Sequence, residues 1–364
     1  MAYKRWLPIF LATLLLVACA GGLPPGGLPT PEEVPPEVIS GGEAGIEGEE
    51  PAETGEGELP QPIGGQSEPG EAPPAPEMSL EEIRQEARQS GGFLFYMESP
   101  FRAEGYDTYR IPAGGEFSAE VVFGNYEPGE SEFLFSCLVD YLQTPCAEGL
   151  PGQAYPLTLP SQTDHTFHIR LSDLAEGMHD LIFLIFERPD EHTTNPEFRG
   201  ESRDLFDFYR VNLYVGESAS APSIAYTSFS EPDEFAPQGM YLYTISREVL
   251  LDPWQTPWDS ESLNPGQEVG YYATLNNPEP FPTRFALVAF LNFEQVPFAP
   301  DHMVFYGQVE SQKRASVETS LIAPINPGPY ELVVLMVDNP YIDLAKLDLS
   351  SDINSSDRVL LTVR

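Results

Sequence analysis

The chain has 364 residues, with 57 Asp or Glu against 18 Lys or Arg, a formal net charge of −39 at pH 7. So acidic a surface repels phosphate backbones and anionic headgroups, which excludes nucleic acid as a partner and disfavours electrostatic docking on anionic lipid. Its ordinary uses are solubility and repulsion from other acidic surfaces, and it can gather divalent cations.

Lys4 and Arg5 form a positive start, and the apolar run Trp6 to Val17 is too short to cross roughly 30 Å of hydrocarbon as a helix. This is the pattern of a processing signal over 1–18. The run ends in Leu16-Val17-Ala18-Cys19, which resembles the lipobox of bacterial lipoproteins. The resemblance implies cleavage before Cys19 and lipidation of that cysteine, which becomes residue one of the mature protein and tethers the chain to a membrane. Ala20 follows it, so the aspartate that retains such proteins at an inner membrane is absent. The implied location is the extracytoplasmic face of the cell membrane or, where one exists, of an outer membrane. Loss of Lys4 and Arg5 takes the charge from −39 to −41 and leaves Lys313 and Lys346 as the remaining lysines.

From Ala20 to Met78 there is no aromatic residue, lysine, arginine or aspartate, while Pro, Gly and Glu supply 13 positions each. Such a segment buries too little apolar surface to offset its ordering entropy, so 19–78 is predicted to be a disordered linker. As a flexible coil of about 60 residues it would reach roughly 45 Å end to end, and its prolines and like charges lengthen that.

Ser79 and Glu82 have capping-box spacing ahead of Ile83 and Ala87, with Gly91-Gly92 as a stop, so a short helix is predicted over 79–90. Beyond it, segments rich in Val, Phe, Tyr and Leu alternate with Gly, Pro, Asn and Asp turns, the texture of an all-β protein.

An internal repeat divides this region. Gly92-Phe93-Leu94-Phe95-Tyr96 matches Gly239-Met240-Tyr241-Leu242-Tyr243 at an offset of 147, and Gly114 and Asn125 match Gly266 and Asn277 at 152. Leu138 to Pro145 matches Phe290 to Pro297 at 152, Gly177 with Asp180-Leu181 matches Gly328 with Glu331-Leu332 at 151, and Val211 to Val215 matches Val359 to Val363 at 148. The repeat predicts two domains, 91–217 and 218–364. Seven strands are predicted in each: near 93–98, 116–123, 132–141, 154–159, 165–171, 179–187 and 205–215, then near 240–246, 268–275, 284–293, 303–309, 315–321, 330–337 and 358–363. That count reads as a β-sandwich. The turns Leu174 to His179 and Ile325 to Tyr330 resemble the corner before strand F of immunoglobulin-like domains. The resemblance implies two tandem immunoglobulin-like sandwiches, with Tyr330 bonding back to its own chain and His179 in its place in the first copy.

Cys137 and Cys146 are candidates for a disulfide between a strand and the loop after it. The repeat aligns them with Ala289 and Phe298, an apolar pair, which favours a structural role.

No nucleophile elbow, phosphate-binding glycine loop or His-Glu-x-x-His is present. His165 and His168 fall on opposite faces of a predicted strand and cannot share a metal there. Asp348, Asp352 and Asp357, in a Ser/Asp/Asn-rich stretch, are the candidate ligands for calcium, although their spacing is no EF-hand and such loops are commonly solvated turns. The connections between the last two strands are long in both copies, about 17 residues, and long loops in compact domains often carry function. They make Asp190, His192, Tyr341 and Asp343 candidates for a recognition surface. Trp254 and Trp258, in an expansion with no counterpart in the first copy, could stack on a sugar ring or anchor a protein, or equally cap the sandwich core.

The sequence therefore predicts a lipid-anchored, extracytoplasmic, non-enzymatic interaction protein with a protein or glycan partner and no cofactor other than calcium. Its alternatives are an envelope hydrolase or carbohydrate-active accessory protein, and a structural spacer or assembly factor.

Overall fold

The computed structural model describes residues 79–103, 107–192, 206–217, 220–232, 243–249, 258–345 and 352–364. The signal, Cys19 and the 19–78 linker lie outside the described residues. Helix α1 (Leu80–Ser90) starts at the expected capping box, in which the Ser79 N–H donates to Glu82 Oε2 at 2.7 Å and the Glu82 N–H donates to Ser79 Oγ at 3.4 Å. It buries Ile83 and Ala87 against Leu94, Val122 and Tyr126.

The first repeat contains β1 (Phe93–Glu98), β2 (Thr108–Ile111), β3 (Phe117–Asn125), β4 (Ser131–Val139), β5 (Leu142–Gln143), β6 (Ala154–Leu159), β7 (Thr163–Leu171), β8 (Gly177–Glu187) and β9 (Phe206–Val215). One sheet has the order β1-β3-β7. The facing sheet runs β2-β9-β8-β4-β5, with β6 also on β4. The alternating inward side chains of both sheets, among them Phe117, Phe123, Phe133, Phe135, Phe183 and Val211, form one core.

The second repeat contains β10 (Thr227–Phe229), β11 (Glu231–Pro232), β12 (Tyr243–Ser246), β13 (Ser260–Leu263), β14 (Glu268–Asn277), β15 (Thr283–Leu291), β16 (Glu294–Val296), β17 (Val304–Val309), β18 (Lys313–Ile322), β19 (Gly328–Asp338), β20 (Ile353–Ser355) and β21 (Val359–Val363). Its sheets are β11-β18-β14-β12 and β10-β17-β15-β19-β21-β13. In each repeat a short strand pairs in parallel with the last one, β2 with β9 and β13 with β21. The chain is thus all-β, with two tandem immunoglobulin-like sandwiches.

These parallel strands were not expected from sequence, because Ser260-Glu261-Ser262-Leu263 shows little apolar alternation. A second difference concerns the strands predicted over 132–141 and 284–293. Both stop two residues early, at turns in which Asp140 and Tyr141 have φ of 52° and 67°, and Asn292 and Phe293 have 49° and 63°. Positive φ at both central residues is the two-residue hairpin geometry that matches strand twist, and an aromatic residue there is held at a cost of about 1–3 kcal/mol. Tyr141 and Phe293 tolerate it because both rings are buried.

Asn125 and its repeat equivalent Asn277 are buried and do the same work. Asn125 Nδ2 donates to the carbonyls of Gly129 and Leu159 at 3.1 and 3.0 Å, and Asn277 Nδ2 donates to those of Phe281 and Val309 at 2.8 and 3.1 Å. Each side chain replaces ladder bonds that the following turn cannot make.

Candidate functional site

The two sandwiches meet through faces that an isolated sandwich would leave in water. Strand β8 is buried along almost its whole length, and so is β19. Their sequences, Leu181-Ile182-Phe183-Leu184-Ile185-Phe186 and Leu332-Val333-Val334-Leu335-Met336-Val337, are apolar on both faces, the mark of a strand covered on two sides. Leu138, Ile182, Leu184, Phe186 and Phe206 from the first repeat share a cluster with Ala286, Val288, Phe290, Val333, Leu335 and Val337 from the second. Each such side chain withdrawn from water contributes roughly 1.5–3 kcal/mol.

The polar contacts of this joint are reciprocal. The Gln143 N–H donates to Gln295 Oε1 at 2.6 Å, and the Gln295 N–H donates to Gln143 Oε1 at 2.7 Å. Gln143 Nε2 then donates to the Phe293 carbonyl at 2.9 Å, and Gln295 Nε2 to the Tyr141 carbonyl at 2.8 Å. This is the self-complementary pattern of an isologous interface, made here inside one chain.

Two buried arginines continue it. Arg210 Nη1 donates to the Asp338 carbonyl at 2.7 Å and Nη2 to the Asn339 carbonyl at 3.0 Å. Its repeat equivalent Arg358 donates through Nη1 to the Arg188 carbonyl at 2.8 Å and through Nη2 to the Glu187 carbonyl. Each arginine caps the end of the other sandwich's long strand. The aligned motifs Glu187-Arg188-Pro189 and Asp338-Asn339-Pro340, at the ends of β8 and β19, therefore supply the acceptors that join the repeats. The arginines escaped the sequence reading, although each directly precedes an aligned run, Val211 to Val215 and Val359 to Val363. Aligned arginines directly before aligned strands were the available signal.

The counter-charges differ. Asp180 is fully buried and accepts from Arg210 Nη2 at 2.6 Å, Asn212 Nδ2 at 2.7 Å, the Tyr341 N–H at 2.9 Å and the Tyr141 hydroxyl. Burial works against the Arg210 charge, but Asp180, Tyr141 and Asp338 together more than offset it, so Arg210 is more basic than usual. In the second copy Glu331 is buried with His192 Nδ1 2.9 Å from its Oε1. Arg358 is brought down to about 10 by burial, which the charge of Glu331 only partly opposes. Burial and the Asp180 charge also raise the Tyr141 phenol, which stays a donor.

The sequence-predicted site residues divide among several environments. His192 and Tyr341 engage the opposite repeat: Tyr341 stacks edge-on to Tyr141, with centroids 5.2 Å apart. Asp190 is exposed, and Asp343 lies half-buried next to Tyr214. The long loops thus build the joint as well as facing solvent. Trp258 belongs to the second core, tilted against Tyr271 at 5.8 Å with the Arg247 guanidinium 5.5 Å over its ring. Its ring is therefore used for packing and is not presented to a partner, while Trp254 lies outside the described residues. Cys137 and Cys146 are joined by a disulfide, with Cα atoms 6.3 Å apart. Ala289 and Phe298 occupy the equivalent places in the second core.

Asp348 lies outside the described residues, Asp352 is exposed and Asp357 half-buried. Among the described residues no group of three or more His, Cys, Asp or Glu side chains could hold a metal, and no helix is long and apolar enough to cross a membrane. Tyr330 makes the expected corner bond, its hydroxyl donating to the Asn326 carbonyl at 3.0 Å. His179 makes the same bond across the same four residues, Nε2 to the Ala175 carbonyl at 2.8 Å, while its Nδ1 lies 2.6 Å from Asp140 Oδ2.

No family model and no curated protein matches the chain. Among solved structures, red sea bream transglutaminase is 15% identical over 80% of this chain and 34% of its own, with a TM-score of 0.20. The chain thus spans about a third of that enzyme's length. The CARDB domain of the PF1109 protein from Pyrococcus furiosus, in complex with di-metal ions, is 9% identical over 35% of this chain and 90% of its own, with a TM-score of 0.24. A solution structure of the same domain is 10% identical over 34% and 95%, with a TM-score of 0.23.

Proposed function

We propose that this chain is a lipid-anchored, extracytoplasmic and non-enzymatic interaction protein that holds its two sandwiches as one rigid head on a long acidic stalk. The reading is carried by the reciprocal joint, which commits the buried Asp180, Arg210, Glu331 and Arg358 to structure. A head built this way offers fixed surfaces to a protein or glycan partner, and interfaces held in advance lose less entropy on binding. The lipobox-like Leu16-Val17-Ala18-Cys19 supports the anchor, and the composition of 19–78 supports the stalk. Calcium at the Asp348, Asp352 and Asp357 loop belongs to the same proposal as an ordering ion.

The test has two arms in intact cells. Incorporation of a clickable fatty acid that disappears in Cys19→Ser supports the anchor; equal labelling of both proteins overturns it. Surface-restricted crosslinking of the anchored protein should then capture a stoichiometric protein or glycan. If the anchored chain crosslinks to nothing, the spacer reading replaces recognition; if an added envelope substrate is turned over, the hydrolase reading does.

A further inference from the structure

The reciprocity of the joint fails at one edge. Strand β2 pairs in parallel with β9 so that Arg110 lies directly opposite Tyr214, and β13 pairs with β21 in the same register with Ser262 opposite Thr362. Two small hydroxyl residues in one copy thus stand where the other has a guanidinium and an aromatic ring. Arg110 is exposed, with its guanidinium carbon 5.3 Å from the Tyr214 ring centroid. Among the described residues it enters no ion pair, although the chain carries a net charge of −39.

Around this pair is an open cleft of about 380 Å³, lined by Ala103, Thr108, Arg110 and Tyr214 from the first sandwich and by Asp343 and Ala345 from the second. One bond ties its two sides together. The Leu344 N–H donates to Asn212 Oδ1 at 2.8 Å, which pins the second sandwich's loop to β9, and the Ala345 N–H donates to Asp343 Oδ1 at 3.1 Å. Burial and the Asp343 charge push the Tyr214 hydroxyl up to about 12, so at neutral pH it remains a donor to that carboxylate. Clefts shared by two domains, with a few fixed polar groups, are the ordinary location of ligand sites.

We propose that this cleft binds a short sugar acid, with its carboxylate on Arg110 and its hydroxyls on Asp343 and Thr108. A planar guanidinium already held over a ring presents a fork matched to a carboxylate, and less entropy is lost per bond formed. Asp343 already accepts from Tyr214 and from the Ala345 N–H, so its charge is partly met and it suits a neutral hydroxyl better than an ammonium. The acidic surface repels polyanions, so a single carboxylate on a mono- or disaccharide fits better than a charged polymer. The inference deepens the recognition reading above and rests on it for the biological use of the ligand.

Saturation-transfer difference NMR with the full-length chain and glucuronate tests it, with glucose and alanine as comparison ligands. Glucuronate should bind and glucose should not. Arg110→Ala should weaken binding about tenfold to a hundredfold, as expected for loss of a charge-assisted pair, with only a small shift of the thermal midpoint, since an exposed guanidinium–ring contact contributes little to the fold. No saturation transfer to glucuronate, or equal transfer with Arg110→Ala, overturns the site. Stronger transfer to alanine overturns the sugar acid in favour of an amino acid. None of these outcomes bears on whether surface crosslinking finds a partner, so the two proposals fail separately.

Discussion

Gln143 and Gln295 each donate a backbone N–H to the other's side-chain oxygen, at 2.6 and 2.7 Å, although they are 152 residues apart. That separation is the offset of the internal repeat, so the two copies meet through the same position on each. Around the pair, Arg210 and Arg358 cross in opposite directions to cap strand ends.

The Asp180 and Arg210 pair makes the joint expensive to break on one side. Arg210→Met leaves a buried carboxylate without its cation and should cost about 3–5 kcal/mol. Asp180→Leu combined with Arg210→Met removes both charges and should cost clearly less than the sum of the single changes. Urea unfolding of the four proteins, read as a double-mutant cycle, measures the coupling.

Gly307→Ala tests how tightly the second core is packed. A methyl at Gly307 would lie inside the van der Waals envelope of the buried Phe285 ring. The ring has core on every side, so the change should destabilise by about 1–3 kcal/mol. A lowered midpoint with an unchanged denaturant slope would assign the loss to the folded state.

His179 should make the first sandwich weakly pH-dependent. The Asp140 hydrogen bond raises its folded pKa above the ordinary value of 6.5, burial opposes this, and the Ala175 carbonyl adds to the rise. A folded pKa above the unfolded one stabilises fully below the unfolded value and loses that stability as pH climbs through the folded value. His179→Gln should therefore cost about 1 kcal/mol at pH 5.5 and less at pH 8.5. His179→Tyr copies the corner of the second repeat and should flatten the difference. Melting curves at the two pH values decide it.

The disulfide closes a short loop between Cys137 and Cys146. Cys137→Ala with Cys146→Ala should lose about 2–3 kcal/mol through a freer unfolded chain, and reductant should lower the wild-type midpoint while leaving the double variant unchanged.

Several features are legible in the sequence alone. Ser79 and Glu82 announced their helix because a capping box is a local bond between residues three apart. The core strands were legible because alternation has a fixed period, and the offset of 152 tied Asn125 to Asn277 before their common bonds were visible. Strands β2 and β13 were not legible, since short edge strands take their pairing from a neighbour and not from their own alternation. The turns at Asp140-Tyr141 and Asn292-Phe293 were hidden because aromatic residues at positive φ contradict local preference. Burial of the rings in the joint outweighs that preference.

Composition, periodicity and the repeat were enough for an acidic all-β chain of two related sandwiches with a disulfide between Cys137 and Cys146 as a candidate, because those properties follow from residue type and spacing. They could not say that β8 and β19 bury their outer faces on each other, that His192 and Tyr341 turn into that joint, or that Trp258 lies in a core. Nor could they bring Arg110, Tyr214 and Asp343 into one cleft. Such placements depend on groups more than a hundred residues apart meeting in space, and the free energy that fixes them comes from shared burial, which no local stretch of chain encodes.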